Sequence, residues 1–177
     1  GRIQEQKGQI ETIKFLDNFR KVENNFLCYF IGGPSGKSGK EYLEELKQTV
    51  EDLNLESHIE FLDNLPQTEI RDLLNKSKLL IHTSKFETFG LVAAEANAMG
   101  VPVLTTNMGS LLEIVDSDKN GYYSENLIDG SVNNFVKELL NSNDKFDEIM
   151  LHCLEKSKAY SWATTAKRIE NLYKAFA

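Results

Sequence analysis

The chain of 177 residues lacks the marks of several protein classes. It has two cysteines, Cys28 and Cys153, which fits a reducing compartment. Neither has a metal-site or redox spacing, and Cys28, inside an apolar run, reads as a buried thiol. No apolar run approaches the roughly 20 residues of a membrane span, and no signal peptide is visible. Positive charge is scarce. Lys and Arg number 20 against 27 Asp and Glu, a net charge of −7. That balance argues against a general nucleic-acid role and against docking on anionic lipid through this part of the chain. The three histidines, His58, His82 and His152, are far apart in sequence and suggest no metal cluster. Repeats, low-complexity segments and flexible linkers are absent.

What is present is an ordinary globular composition, 41% apolar and 27% charged. The length suits one domain, taken as residues 1–177. Extended and helical patterns alternate along it. Ile10, Ile13, Leu16 and Phe19 form a helical stripe. Phe26 to Ile31 is a continuous apolar run, as expected of a strand buried on both faces. Ser38 to Leu53 reads as a helix, Ile59 and Phe61 as a short strand, and Thr68 to Leu74 as a helix started by Pro66. Leu79 to Ile81 and Val101 to Leu104 read as strands around a helix from Phe89 to Ala98. A short helix after Gly109 and a short strand at Tyr122-Tyr123 follow. Three more helices span Val132 to Leu140, Lys145 to Lys158 and Thr164 to Phe176. This alternation predicts an α/β fold with a parallel sheet and helices on both faces.

The most informative stretch runs from Phe86 to Glu95. Glu87 and Glu95 stand eight residues apart, with Phe89-Gly90-Leu91 between them. A strand enters, the chain turns at Gly90, and a helix starts. The backbone N–H groups of Phe89, Gly90 and Leu91 and the positive end of the helix dipole gather there, which suits a phosphate. Carboxylates repel phosphate but accept well from sugar hydroxyls. The combination describes a site for a ligand that is both sugar and diphosphate. The plainer reading is two solvated acids stabilising a helix dipole.

A second candidate is Gly32-Gly33-Pro34-Ser35-Gly36-Lys37-Ser38, which follows a strand and precedes a helix. A phosphate-binding P-loop, G-x4-G-K-[ST], requires glycine at position 31, which is Ile31. The pattern is one residue short.

The Glu87…Glu95 stretch resembles the E-x7-E motif of family 4 retaining glycosyltransferases, which use nucleotide-sugar donors and have the GT-B fold. Companion segments keep that family's order. Gly1-Arg2 with Lys7-Gly8 resembles its G-R-x4-K-G segment. Phe30-Ile31-Gly32-Gly33 resembles a glycine-ended strand, and His58-Ile59-Glu60-Phe61 the short strand that follows. Gly100-Val101-Pro102-Val103, Gly109-Ser110-Leu111-Leu112-Glu113-Ile114-Val115 and Asn120-Gly121-Tyr122 resemble three later segments. Ser110 departs from the family's second glycine, and Tyr160-Ser161-Trp162 resembles its aromatic-Ser-Trp run.

The resemblance implies a Rossmann-like α/β domain, the donor-binding C-terminal half of a GT-B enzyme. It implies that Glu95 meets the ribose, Glu87 the donor sugar, and Arg2, Lys7 and the Phe89–Leu91 N–H groups the diphosphate. Gly32 and Gly33 would form a strand-end turn close to the nucleotide, with Pro34 to Lys40 a mobile loop. Catalysis would be metal-independent, with no cofactor beyond the donor substrate. The family places a strand just before Gly1-Arg2 and an acceptor-binding half before that. The acceptor, whether glycan, lipid or small molecule, and any membrane contact would belong to that half. The implied setting is cytoplasmic polysaccharide or glycan synthesis, possible on the cytoplasmic face of a membrane. His82 is expected only to cap a strand, Glu113 to start a helix, and Trp162 to anchor the last helix. The other classes open to this sequence are a P-loop-like nucleotide-binding domain using Lys37 and a GT-B-like module without catalysis.

Overall fold

The protein is described by a computed structural model covering residues 1–176. After a single 3-10 turn at Glu5–Lys7, α1 (Gln9–Phe19) buries Ile13, Leu16 and Phe19 of the expected stripe, with Phe15. Then follow β1 (Cys28–Ile31), α2 (Gly36–Asp52), β2 (Ile59–Leu62) and α3 (Gln67–Leu74). The second run is β3 (Leu80–His82), α4 (Leu91–Ala98), β4 (Val103–Thr106), α5 (Leu111–Ile114) and β5 (Gly121–Ser124). Three helices close the chain: α6 (Gly130–Asn141), α7 (Asn143–Ser157) and α8 (Trp162–Ala175).

Every strand pair is parallel, but pairing falls into two groups. β1 pairs with β2, and β3, β4 and β5 pair in that order. The edges of β1 and β3 that face away from their partners line one largely apolar cleft of about 720 Å³. The expected strand buried on both faces is therefore corrected. β1 starts at Cys28, and Leu27 and Tyr29, which share one face of the chain there, are 52% and 38% exposed. Cys28 is only partly covered, whereas Cys153 is fully buried.

The backbone of Gly1 to Ile3 lies at the carboxyl end of this cleft and runs parallel to β1. The Gly1 ammonium donates to the Ile31 carbonyl (2.8 Å), Ile3 N–H to Gly33, and Ser35 N–H back to Ile3. Pro34 bridges Ile3, and α2 starts at Gly36. Pro34 to Lys40 is thus strand-end and helix, not a loop.

The second group is locked by a buried amide pair. Asn120 donates to Asn97 and to the Ile114 carbonyl, and Asn97 donates to the Val101 carbonyl. Beside it, a Cβ at Gly121 would lie 2.1 Å from the Val103 carbonyl oxygen. The Asn120-Gly121 pair is therefore required by packing. It fixes β5 beside β4 and, with them, the end of β3 where the candidate residues collect.

Candidate functional site

Gly90 makes the turn that opens α4. Its φ of 88° is left-handed, where a side chain is strained. A Cβ there would also approach Leu111 to 2.7 Å, so the glycine lets α5 pack under the turn. No side chain caps α4. Among the described residues, no protein group accepts from the N–H groups of Phe89, Gly90 or Leu91. Those free donors stand at the positive end of the α4 dipole. Phe89 packs edge-on against Tyr160, whose hydroxyl donates to the Glu113 carbonyl (2.7 Å). Tyr160 thus braces the turn. Trp162 does not anchor the last helix as expected; it is 88% exposed.

Glu87 sits in the loop ahead of the turn, and its side chain is only 14% exposed. Its Oε2 accepts from Lys7 Nζ (2.8 Å) and from His82 Nε2 (3.2 Å). Ser110 Oγ donates to the Glu87 carbonyl (3.0 Å). The departure from a second glycine at position 110 therefore supplies a tie for the Glu87 loop. Lys7 is held in place from below. A Cβ on Gly8 would lie 2.0 Å from the Thr83 carbonyl oxygen, and Thr83 donates to the Gly8 carbonyl (2.8 Å). The G-R-x4-K-G and E-x7-E segments, 80 residues apart, are joined at these contacts.

The electrostatics follow from the packing. Burial pushes the Glu87 carboxyl up, but the bonded Lys7 ammonium and His82 outweigh it, and the group stays below the usual carboxylate range. Burial lowers His82, and Glu87 only partly restores it. Arg2 is exposed and has no ion pair among the described residues. Glu95 is exposed on α4 and lines the polar mouth of the cleft with Gly1, Lys7 and His82.

Gly32 and Gly33 do not line the cleft themselves, but Gly32 packs against Gly1 at its mouth. The Gly32 N–H donates to Leu62 and the Gly33 N–H to Asn64. A Cβ on Gly32 would lie 2.1 Å from the Gly1 carbonyl oxygen, so the glycine allows the first residues to lie beside the end of β1. The bonds to Leu62 and Asn64 occupy the N–H groups of the first two glycines of the Gly32–Ser38 run. Lys37 is 92% exposed and reaches only Glu41, at 3.8 Å. The expectation of no metal cluster takes the sequence to hold no Asp-x-Asp, but Asp116-Ser117-Asp118 is one. It precedes β5, at the amino ends of the strands and away from the Gly90 turn. Asp116 is bound to Lys156 at 2.9 Å.

The family model of the glycosyl transferases group 1 matches residues 1–151. The chain belongs to the group 1 glycosyltransferases. It is 31% identical over 177 residues to a D-inositol 3-phosphate glycosyltransferase of Corynebacterium urealyticum. That match takes in 99% of this chain and 42% of the relative. A second such protein, from Corynebacterium glutamicum, is 30% identical, with 98% and 41% covered. The chain thus spans about two fifths of the length of these relatives.

Among solved structures, the C-terminal domain of a group 1 glycosyl transferase family protein (LpcC) of Francisella tularensis is similar. The TM-score is 0.77 at 25% identity, over 90% of this chain and 82% of that one. HepE of Anabaena in complex with UDP gives 0.83 at 24% identity, over 99% of this chain and 47% of that one. The fold of this group 1 glycosyltransferase domain is accordingly one Rossmann-like half of a GT-B architecture. His82, Ser110 and Tyr160, which support the Glu87 loop and the Gly90 turn, carry no spacing signal. The sequence names all three, but their supporting roles rest on contacts in space.

Proposed function

We propose that this domain binds the nucleotide-sugar donor of a retaining glycosyltransferase at the mouth formed by Lys7, Glu87, the Gly90 turn and Glu95. The observation that carries this is the convergence of free N–H groups, a covered cation and two carboxylates at the carboxyl ends of parallel strands, where open α/β sheets bind ligands. The Phe89, Gly90 and Leu91 N–H groups, Lys7 and Arg2 take the diphosphate. Glu95 accepts from the ribose hydroxyls, and Glu87 from the donor sugar. As the glycosidic bond breaks, negative charge grows on the leaving diphosphate, and Arg2 and Lys7 stabilise it without a metal. The acceptor hydroxyl, held by another part of the enzyme, attacks on the face the diphosphate leaves, with retention of configuration. Glycan or polysaccharide synthesis on the cytoplasmic side is the setting this chemistry suits. The UDP seen in HepE makes uridine nucleotides the first probes.

Thermal shift against a panel of nucleoside diphosphates tests the reading. Stabilisation by at least one of them is expected, unchanged by EDTA. Strict dependence on magnesium, or no response to any, would count against it.

The two acids should separate by ligand. Glu95→Ala is expected to weaken nucleoside-diphosphate binding by about 1–3 kcal/mol, the range for a hydrogen bond to a charged group. Glu87→Ala should leave the bare nucleotide nearly unchanged and weaken the nucleotide-sugar. Calorimetry with UDP and UDP-glucose reads both, and equal losses for UDP in the two variants would show the roles wrongly divided.

A further inference from the structure

Two donors from different elements meet at one carboxylate oxygen. Lys7 Nζ and His82 Nε2 both reach Glu87 Oε2. His82 is the more covered, its side chain 10% exposed against 27% for Lys7. Its carbonyl accepts from Thr105 Oγ1 on β4 (2.8 Å), which fixes the backbone that carries the ring. An ionised carboxylate only accepts, so the shared proton sits on His82 Nε2.

Under the donor-site reading above, on which this inference rests, Lys7 has two partners. In the free protein it neutralises Glu87. With a diphosphate bound, its ammonium turns to the phosphate oxygens. Glu87 then loses its cation while 14% exposed, and a carboxylate so covered is costly without a partner. Among the described residues, His82 is the other side chain bonded to that oxygen. We propose that His82 is a positioning residue for Glu87: its Nε2–H holds the carboxylate at the sugar position while Lys7 leaves it for the donor's diphosphate.

The exchange also changes what the ring feels. In the free protein, burial lowers its proton affinity, Glu87 raises it, and Lys7 and the Gly1 ammonium lower it again. Glu95 on α4 faces the same mouth. When Lys7 pairs with phosphate, its repulsion is neutralised and phosphate charge is added. Both changes favour imidazolium. At about pH 6–7 the neutral ring can accept a proton. Donor binding therefore draws a proton from buffer onto His82 Nδ1.

The test is calorimetry of UDP-glucose and UDP at about pH 6.5, where histidine titrates, in two buffers of different ionisation enthalpy. The wild type is expected to take up more protons than His82→Gln, which keeps an amide donor but cannot titrate. His82→Gln should bind UDP-glucose within about threefold of wild type, because a donor remains. His82→Phe has no donor and should weaken UDP-glucose about tenfold or more, with a smaller loss for UDP. Equal proton uptake by wild type and His82→Gln would overturn the inference, as would full UDP-glucose affinity in a folded His82→Phe. Should His82→Phe not fold, the proton count of His82→Gln decides. Should the thermal-shift panel single out another base, that nucleotide and its sugar replace the uridine pair; a wild type that responds to no member of the panel sinks the donor-site reading itself. Binding of both with no difference in proton uptake sinks only the role of His82.

Discussion

Lys7→Ala is expected to lower nucleoside-diphosphate affinity by about ten- to a hundredfold, while Lys37→Ala leaves it unchanged. Two effects add in the first variant. A charge-assisted bond to phosphate is lost in a partly covered site. The remaining Glu87 carboxylate, only 14% exposed, also meets the incoming phosphate without its lysine and repels it. Lys37 has neither property. It is 92% exposed, and its one ion-pair partner among the described residues, Glu41, is on the surface of α2. Arg2→Ala should act in the direction of Lys7→Ala. The control is the bare nucleoside, which offers these cations nothing and should bind all the variants alike. In the longer enzyme, the Lys7 change should slow turnover beyond its effect on donor binding, since charge on the diphosphate grows in the transition state. Titration of one diphosphate against both variants decides the matter. A critical Lys37 and a silent Lys7 would move the phosphate site to Gly36-Lys37-Ser38 and remove the chemical basis of the donor site.

The parts legible in the sequence share a physical cause. Strand–helix alternation shows because buried positions recur with the period of each element. Glu87, Gly90 and Glu95 show because a turn that opens a helix demands glycine and brings residues eight apart to one place. The supports of that turn do not show. His82 meets Glu87 through the bend between them, Ser110 through the loop before α5, and Tyr160 across 47 residues to Glu113. None of these contacts has a period. The loop that the resemblance implies at Pro34 to Lys40 is helix from Gly36 on, two residues ahead of the Ser38 start read from the sequence. Gly39 is buried inside α2, where a Cβ would lie 2.9 Å from the Ile3 carbonyl oxygen. Asp116-Ser117-Asp118 is as visible as E-x7-E but lies at the other end of its strand. Only topology separates the two.

The gap between the two strand groups lies where the resemblance places a strand, just before Gly1-Arg2, and it yields the prediction of largest effect on stability. Adding about five apolar, β-branched residues before Gly1, enough strand to fill the cleft, is expected to raise the melting temperature by about 5–15 °C. The geometry is set by the bonds that Gly1 and Ile3 already make to β1. Ile3 lies opposite Pro34, so Gly1 lies opposite Gly32. Continued backward in the same parallel register, alternate added residues fall opposite Phe30 and Cys28. Their other edge faces β3. Such a strand joins the two groups into one sheet. It also replaces the Gly1 ammonium, which burial and Lys7 hold below its ordinary proton affinity, with a neutral amide that keeps the bond to Ile31.

Each well-buried apolar side chain contributes about 1.5–3 kcal/mol, and ordering each residue costs about 1–2 kcal/mol. With ladder bonds on both edges, the balance should favour the folded state by about 2–5 kcal/mol. A Gly/Ser extension of the same length has nothing to bury and is the control. Because Arg2 and Lys7 follow the added strand directly, fixing it should also tighten nucleoside-diphosphate binding. Equal melting temperatures for the two extensions would mean that the cleft does not seat a strand.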